Sequence, residues 1–281
     1  MPVVATNTAA NTATRFLNNN SSMAAGSVGK LASGSRIVKA SDDAAGLAIA
    51  SRLNSDIVAL QQSAVNASQG SSMVQVADGG LARIGDVLQR MKALAAASLS
   101  GVPTNDERAF IDAEFQQLRQ EIDGIANTTS FNGASLLNGQ GTTQASFFVG
   151  TNAGDNIEVT FAALATGITN FTVAGTDGLD VTSSVTNVAN ATSAMGEVDA
   201  AIDIISEARA NAGALMSRFE FRGQQIATSV ENIQAAESAI SDVDLAAEQA
   251  KLVSSQVLVQ ASVSALSQAN QIPQSLLRVL Q

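Results

Sequence analysis

Acidic pairs are the first residues in this chain that chemistry could use. Asp42 and Asp43 stand side by side, and Asp242, Asp244 and Glu248 cluster towards the other end. Paired carboxylates can share a proton in acid–base work or offer hard oxygen ligands to a cation. Each set also stands at the start of an apolar repeat, where serine and aspartate suit the free amides and the positive end of a beginning helix. Capping needs no further partner and is the favoured reading at both places. No histidine and no cysteine occur among the 281 residues. That removes the commonest metal ligand, any HExxH element, thiol chemistry and disulfides. The glycine-rich turns lack phosphate-loop spacing and a following lysine. No catalytic residue, cofactor or metal site is expected, and no enzymatic activity.

The elements that would carry these residues are long and thin. Only 4% of the chain is aromatic, and Trp and Tyr are absent, so the composition favours thinly packed helices over a bulky enzyme core. A net charge of −10 argues against nucleic acid as a partner, although four basic residues and no acid precede Ala40. Residues 1–7 lack a basic start followed by an apolar core, so no secretory signal peptide is expected. The uncharged run from Leu252 to Leu277 is broken by Ser, Gln and Asn throughout, which argues against a membrane span.

The apolar periodicity predicts a mainly α fold. From Ser41, proposed as the cap, one long helix runs to about Leu99. Its stripe reads Leu53, Ile57, Leu60, Ala64, Ala67, Ser71 and Val74, then slips by three residues at Ala77 and resumes through Leu81, Ile84, Leu88, Met91 and Ala95. A narrow stripe with a period of about 3.5 residues wants a partner helix. Gly101 and Pro103 end this helix, and Thr104 with Glu107 reads as a capping box opening a second one. That helix carries Ile111, Phe115, Leu118, Ile122 and Ile125 and stops before Asn127. From about 187 to 240 the helical period returns, with interruptions expected at Arg209, Gly223 and Glu237. This is the natural antiparallel partner of the first long helix. Between them, residues 140–186 form a small β-rich insertion, with strands expected at 145–149, 156–161 and 170–173.

Both ends carry a coiled-coil-like segment joined by a short connector. Residues 1–33 have Phe16, Leu17, Met23, Val28 and Leu31 as their larger apolar groups, and Asn18–Ser22 is poor helix material. Residues 245–281 repeat Leu245, Leu252, Val259 and Leu266 every seven positions. Neither end can bury enough apolar surface alone, so disorder in the monomer and helix in an assembly are expected. The expected division is thus 1–33 and 245–281 as a terminal core, 34–44 and 241–244 as connectors, 45–139 and 187–240 as a helical bundle, and 140–186 as the insertion. Phe16, Leu17, Val28, Leu31, Leu245, Leu252, Val259, Leu266, Leu276 and Leu277 are the candidate polymerisation residues.

The sequence also resembles a known family. Leu31-Ala32-Ser33-Gly34-Ser35-Arg36-Ile37, continued by Lys39-Ala40-Ser41-Asp42-Asp43-Ala44-Ala45-Gly46-Leu47-Ala48-Ile49-Ala50, resembles the N-terminal segment of bacterial flagellins. So do Leu88-Gln89-Arg90-Met91 and Phe131-Asn132-Gly133-Ala134-Ser135-Leu136-Leu137-Asn138-Gly139. Ser267-Gln268-Ala269-Asn270-Gln271-Ile272-Pro273-Gln274-Ser275-Leu276-Leu277 is similar to the C-terminal signature. Only about 140–186 matches weakly.

The resemblance implies a structural, non-catalytic subunit of an extracellular filament. Its terminal helices would polymerise head to tail, and its export would run through the flagellar type III apparatus without a signal peptide. It implies filament-junction and cap proteins and an export chaperone as partners. It also implies recognition by a host Toll-like receptor, with Gln89, Arg90, Leu94 and Glu114 at matching positions; Lys92, Ala93 and Ala97 depart from the family pattern. Equally, Arg90 and Glu114 can simply brace neighbouring helices. The alternatives to a filament subunit are a hook-associated junction protein and a glycan-binding surface adhesin.

Overall fold

The computed structural model describes residues 7–138, 144–160 and 184–279. Among these are five helices: α1 (Thr8–Ser33), α2 (Ala44–Leu99), α3 (Asn105–Thr128), α4 (Val188–Ser241) and α5 (Leu245–Val279). Two antiparallel hairpins accompany them, β1 (Ser130–Phe131) with β2 (Ala134–Ser135), and β3 (Gln144–Phe148) with β4 (Asn156–Thr160). The strand expected at 170–173 lies outside the described residues, as does Phe161. The chain forms two compact units, Val58–Val230 and the pair of end segments Met1–Ile57 and Glu231–Gln281.

Within the central unit the helical seam differs from the apolar count. From Leu60 one line of buried positions on α2 runs through 60, 63, 67, 70, 74, 77, 81, 84, 88, 91, 95 and 98, an unbroken three-four alternation, with Met73 and Leu94 buried beside it. The slip expected at Ala77 is absent. Ser63 and Gly70 occupy the seam where Ala64 and Ser71 were expected, because the register is already shifted upstream. Ser63 Oγ is satisfied by two carbonyls, 2.9 Å from Ala59 O and 2.9 Å from Gly150 O, so a hydroxyl sits in the core without the cost of an unpaired donor. On α4 the buried positions Ala191, Ala194, Val198, Ala201, Ile205, Ala208 and Ala212 form the facing seam. Ala208 fills the place where Arg209 was expected to interrupt it. Arg209 instead reaches outward to Asp78 at 2.9 Å, and Lys92 meets Asp199 at 2.6 Å. As positions on α2 descend from 92 to 78, their partners on α4 rise from 199 to 209, so the two helices run antiparallel.

Local chemistry sets the helix ends. The capping box is formed: Thr104 Oγ1 accepts from Glu107 N, and Glu107 Oε2 accepts from Thr104 N at 2.7 Å. Helix α3 continues through Asn127 to Thr128, one turn-end further than the Asn/Thr composition predicts. At the other end of that connection Arg108 is buried and donates from Nε to Ser98 O at 2.9 Å and from Nη2 to Ser100 O at 3.0 Å. It thereby satisfies carbonyls left free at the end of α2. The segment Phe131-Asn132-Gly133-Ala134 is a two-residue hairpin turn, with φ of 50° at Asn132 and 80° at Gly133. Both central residues are left-handed, which is what an Asn-Gly turn between twisted strands requires. It delivers Leu136 and Leu137 into the core.

The β3–β4 hairpin packs on the bundle through its aromatic residues. Phe147 meets Phe219 of α4 edge-on, with centroids 5.5 Å apart, and Asn66 Nδ2 donates to Phe148 O at 3.0 Å. Its turn is held by the Asp155 carboxylate, which accepts from the amides of Asn152 (3.0 Å) and Thr151 (3.3 Å). Those bonds, that of Asn152 first, keep the Asp155 carboxyl below its ordinary value.

Candidate functional site

The end segments form the second unit, and its geometry follows from which residues meet at close range. On α1 the half-buried and buried positions are Ala10, Ala13, Leu17, Asn20, Ala24 and Ser27, followed by Gly29, Lys30 and Leu31 at its end. On α5 the buried positions are Glu248, Ser255, Ser262 and Ala269, spaced by seven. The large residues of the expected heptad are displaced from that inner line: Leu252, Val259 and Leu266 are half-buried beside it, and Leu245 is 60% exposed. Small side chains sit where two helices approach most closely, and larger ones flank them.

Hydrogen bonds fix the register of this pair. Asn7 Nδ2 donates to Ala269 O at 2.8 Å, Asn20 Nδ2 to Ser262 Oγ at 3.1 Å, and Ser27 Oγ to Glu248 Oε1 at 2.6 Å. The partners descend along α5 as they climb along α1, so the pair is antiparallel. Asn18–Ser22 lies inside α1 despite its weak propensity; tertiary partners such as Ser262 override it.

The connectors pair with each other as well. Ser35 and Asp242 form an antiparallel bridge, Arg36 N donates to Ser241 O at 2.6 Å, and Val243 N donates to Gly34 O at 3.1 Å. Gly34 closes α1 in the left-handed region with φ of 73°. Asp42, Asp43 and Asp244 are engaged here with backbone amides. Asp43 Oδ1 accepts from Gly46 N at 2.8 Å and so caps α2, a role expected of Ser41. Asp42 instead accepts from Val38 N and Lys39 N, that of Lys39 first in holding its carboxyl below the ordinary value. Asp244 Oδ1 caps α5 by accepting from Ala247 N at 3.0 Å. Among the described residues no group of three or more acids is placed to hold a metal ion.

Several bulky apolar side chains of α1 and α5 face outward. Phe16 is 53% exposed and Val28 50% exposed on α1, and Val253, Val257, Leu258 and Val263 are exposed on α5. Phe16 and Leu258 border a groove of about 470 Å³ that also touches Ala13, Ala261 and Ala265. Exposed apolar patches of this kind are the sort of surface on which proteins associate. Of the candidate polymerisation residues, Phe16, Val28 and Leu245 are exposed, while Leu17, Leu31, Leu252, Val259 and Leu266 are half-buried. The side chains of Leu276 and Leu277 lie outside the described residues. Val253, Val257, Leu258 and Val263 are not among the candidates, because an apolar residue off the heptad carries no periodic signal; Met23, one of the larger apolar groups of residues 1–33, is exposed as well.

In the central unit, Gln89, Arg90 and Glu114 are exposed and close together. Arg90 Nε and Nη2 lie 2.9 and 2.7 Å from Glu114 Oε1. Leu94 is only 7% exposed and belongs to the bundle core.

Residues 4–142 match the family described as the bacterial flagellin N-terminal helical region, and residues 195–280 match the C-terminal helical region. The chain is 38% identical over 251 residues to a flagellin of Halalkalibacterium halodurans, covering 89% of each. It is 36% identical over 280 residues to the flagellar filament 33 kDa core protein of Treponema phagedenis, covering 95% of this chain and 96% of that one. The crystal structure of Bacillus cereus flagellin shares the fold, with a TM-score of 0.50 at 24% identity over 62% of this chain and 94% of that chain. Among the described residues no helix is long and apolar enough to cross a membrane.

Proposed function

The chain belongs to the bacterial flagellin family and is a structural subunit of a flagellar filament, a homopolymer; on that premise we propose that the α1–α5 pair is its polymerisation device. The observation that carries this reading is the exposure of large apolar residues on the terminal helix pair, beside an inner line on α5 made of Glu248, Ser255, Ser262 and Ala269. A contact that pairs different faces of successive copies and does not close into a ring propagates as a helical filament. The outward patch formed by Phe16 and Leu258 is the face offered to the next copy. Replacing both with serine is expected to abolish filaments seen by electron microscopy while leaving the thermal unfolding of the central unit unchanged. Filaments of ordinary length from the double variant would contradict the proposal.

For the location and the remaining partners we propose what the family resemblance implies. The filament stands outside the cell, its subunits leave through the flagellar export apparatus with a chaperone bound, and it meets junction and cap proteins at its ends. The exposed Arg90–Glu114 pair with Gln89 is the surface offered to a host Toll-like receptor.

A further inference from the structure

Two phenylalanines of the central unit lie on its surface. Phe110 of α3 is 77% exposed and Phe221 of α4 is 72% exposed, whereas the nearby Phe115 and Phe219 are the rings that fill the core. Their surroundings carry opposite charge. Asp106, Glu107 and Glu114 stand three or four residues from Phe110, so they share its side of α3, and all are exposed. Arg90 offsets Glu114 at 2.7 Å, and the buried Arg108 is turned inward to the carbonyls ending α2. Asp106 and Glu107 leave this face acidic. Phe221 instead lies between Arg218, one turn before it, and Arg222, next in sequence, both exposed. Neither arginine forms a salt bridge among the described residues. Two acids are near: Glu220 lines the cleft shared with α2, and the Asp155 carboxylate is taken up by the amides of its own turn. The face around Phe221 is basic.

We propose that these two faces meet between successive copies: the acidic Phe110 face of one central unit docks on the basic Phe221 face of the next. The occupant is a second copy because the chain forms a homopolymer and the two faces complement each other in charge, each with an exposed ring at its centre. They cannot meet within one chain. Glu114 sits beside Arg90, whereas Phe219 covers Gly70, and those levels of α2 are about 30 Å apart at the helical rise. Joining two different faces of one body is a head-to-tail contact, which propagates along an open assembly and does not close on itself. A patch of about one turn on each side falls short of the roughly 1,200–2,000 Å² of a stable interface. The contact therefore aligns copies that other contacts hold together. It goes beyond the role given to α1 and α5 and rests only on the homopolymer.

The test is a charge swap in the full chain, read as the critical concentration for filaments in sedimentation at low ionic strength. Arg218→Glu alone and Asp106→Arg alone should each raise it by about tenfold, because like charges then face each other. The double variant Arg218→Glu/Asp106→Arg should fall below both single variants; a value not below both overturns the contact. Asp86→Arg, an exposed acid elsewhere on α2, makes the same change in net charge. Combined with Arg218→Glu it should not rescue, and rescue equal to that by Asp106→Arg overturns the contact. If neither single variant polymerises, filaments from the swapped chain support the contact and their absence overturns it. Thermal unfolding by circular dichroism should be nearly unchanged in every variant, since all the substituted residues are exposed. Phe110→Ala with Phe221→Ala is the second measurement: the double effect should be smaller than the product of the single ones, and an equal product overturns the contact. Filaments from a chain lacking both terminal helices would count against the role of α1 and α5 instead, so the two failures are distinct.

Discussion

The ring of Phe219 fills the space above Gly70: a Cβ placed on that glycine would lie 2.6 Å from the ring carbons Cε1 and Cζ. Phe219 is itself 2% exposed and braced edge-on by Phe147, so the ring has little room to give. Alanine is the better helix former by about 1 kcal/mol, yet overpacking a filled core costs about 1–3 kcal/mol. Gly70→Ala is therefore expected to lower the melting temperature, and adding Phe219→Leu should recover part of the loss. Stabilisation by Gly70→Ala alone would show that the ring moves freely.

Arg108 closes the end of α2. Its guanidinium satisfies Ser98 O and Ser100 O while buried. Hydrogen bonds from a charged group are worth about 1.5–3 kcal/mol, and buried carbonyls would be left unmet without them. Arg108→Ala should destabilise the central unit by roughly that amount in urea unfolding, and Arg108→Lys should recover only part of it, because lysine lacks the forked geometry.

The Arg90–Glu114 pair is exposed on both sides, and such pairs contribute about 0–1 kcal/mol. Arg90→Ala should leave thermal unfolding nearly unchanged. A loss of Toll-like receptor activation in that variant then reports on recognition and not on folding. Unchanged activation would remove the receptor assignment.

Glu107 carries a pH dependence of known sign. The Thr104 amide first, then the Thr104 hydroxyl, holds its carboxyl below the ordinary value. Its stabilising effect on the start of α3 is present above the free-chain value and lost as pH falls through the folded one. Glu107→Gln should flatten the acid limb of a stability–pH curve followed by circular dichroism. A curve superimposable on that of the parent would contradict the capping box as a source of acid sensitivity.

Large features were legible in the sequence because periodicity reports them. The long helices and the Thr104–Glu107 box stand where spacing and turn residues put them, and the strands expected at 145–149 and 156–161 stand at Gln144–Phe148 and Asn156–Thr160. The seam itself was less legible. Ser63 and Gly70 do not count as apolar, so the stripe was drawn through Ala64 and Ser71, one position away. In α5 the same bias selected Leu245, Leu252, Val259 and Leu266. The closest approach belongs to Glu248, Ser255, Ser262 and Ala269, because two slender helices meet on small or hydrogen-bonded residues. Arg108 was invisible for a different reason: its role depends on carbonyls at the end of the preceding helix, and no local pattern encodes that.

The most direct measurement compares assembly of the full chain with that of a chain lacking residues 1–33 and 245–281, followed by circular dichroism and electron microscopy. The account predicts that only the full chain forms filaments and gains helix as it does so. Filaments from the shortened chain, or a full chain whose termini are fully helical while it stays monomeric, would contradict the proposal that the terminal helices drive polymerisation.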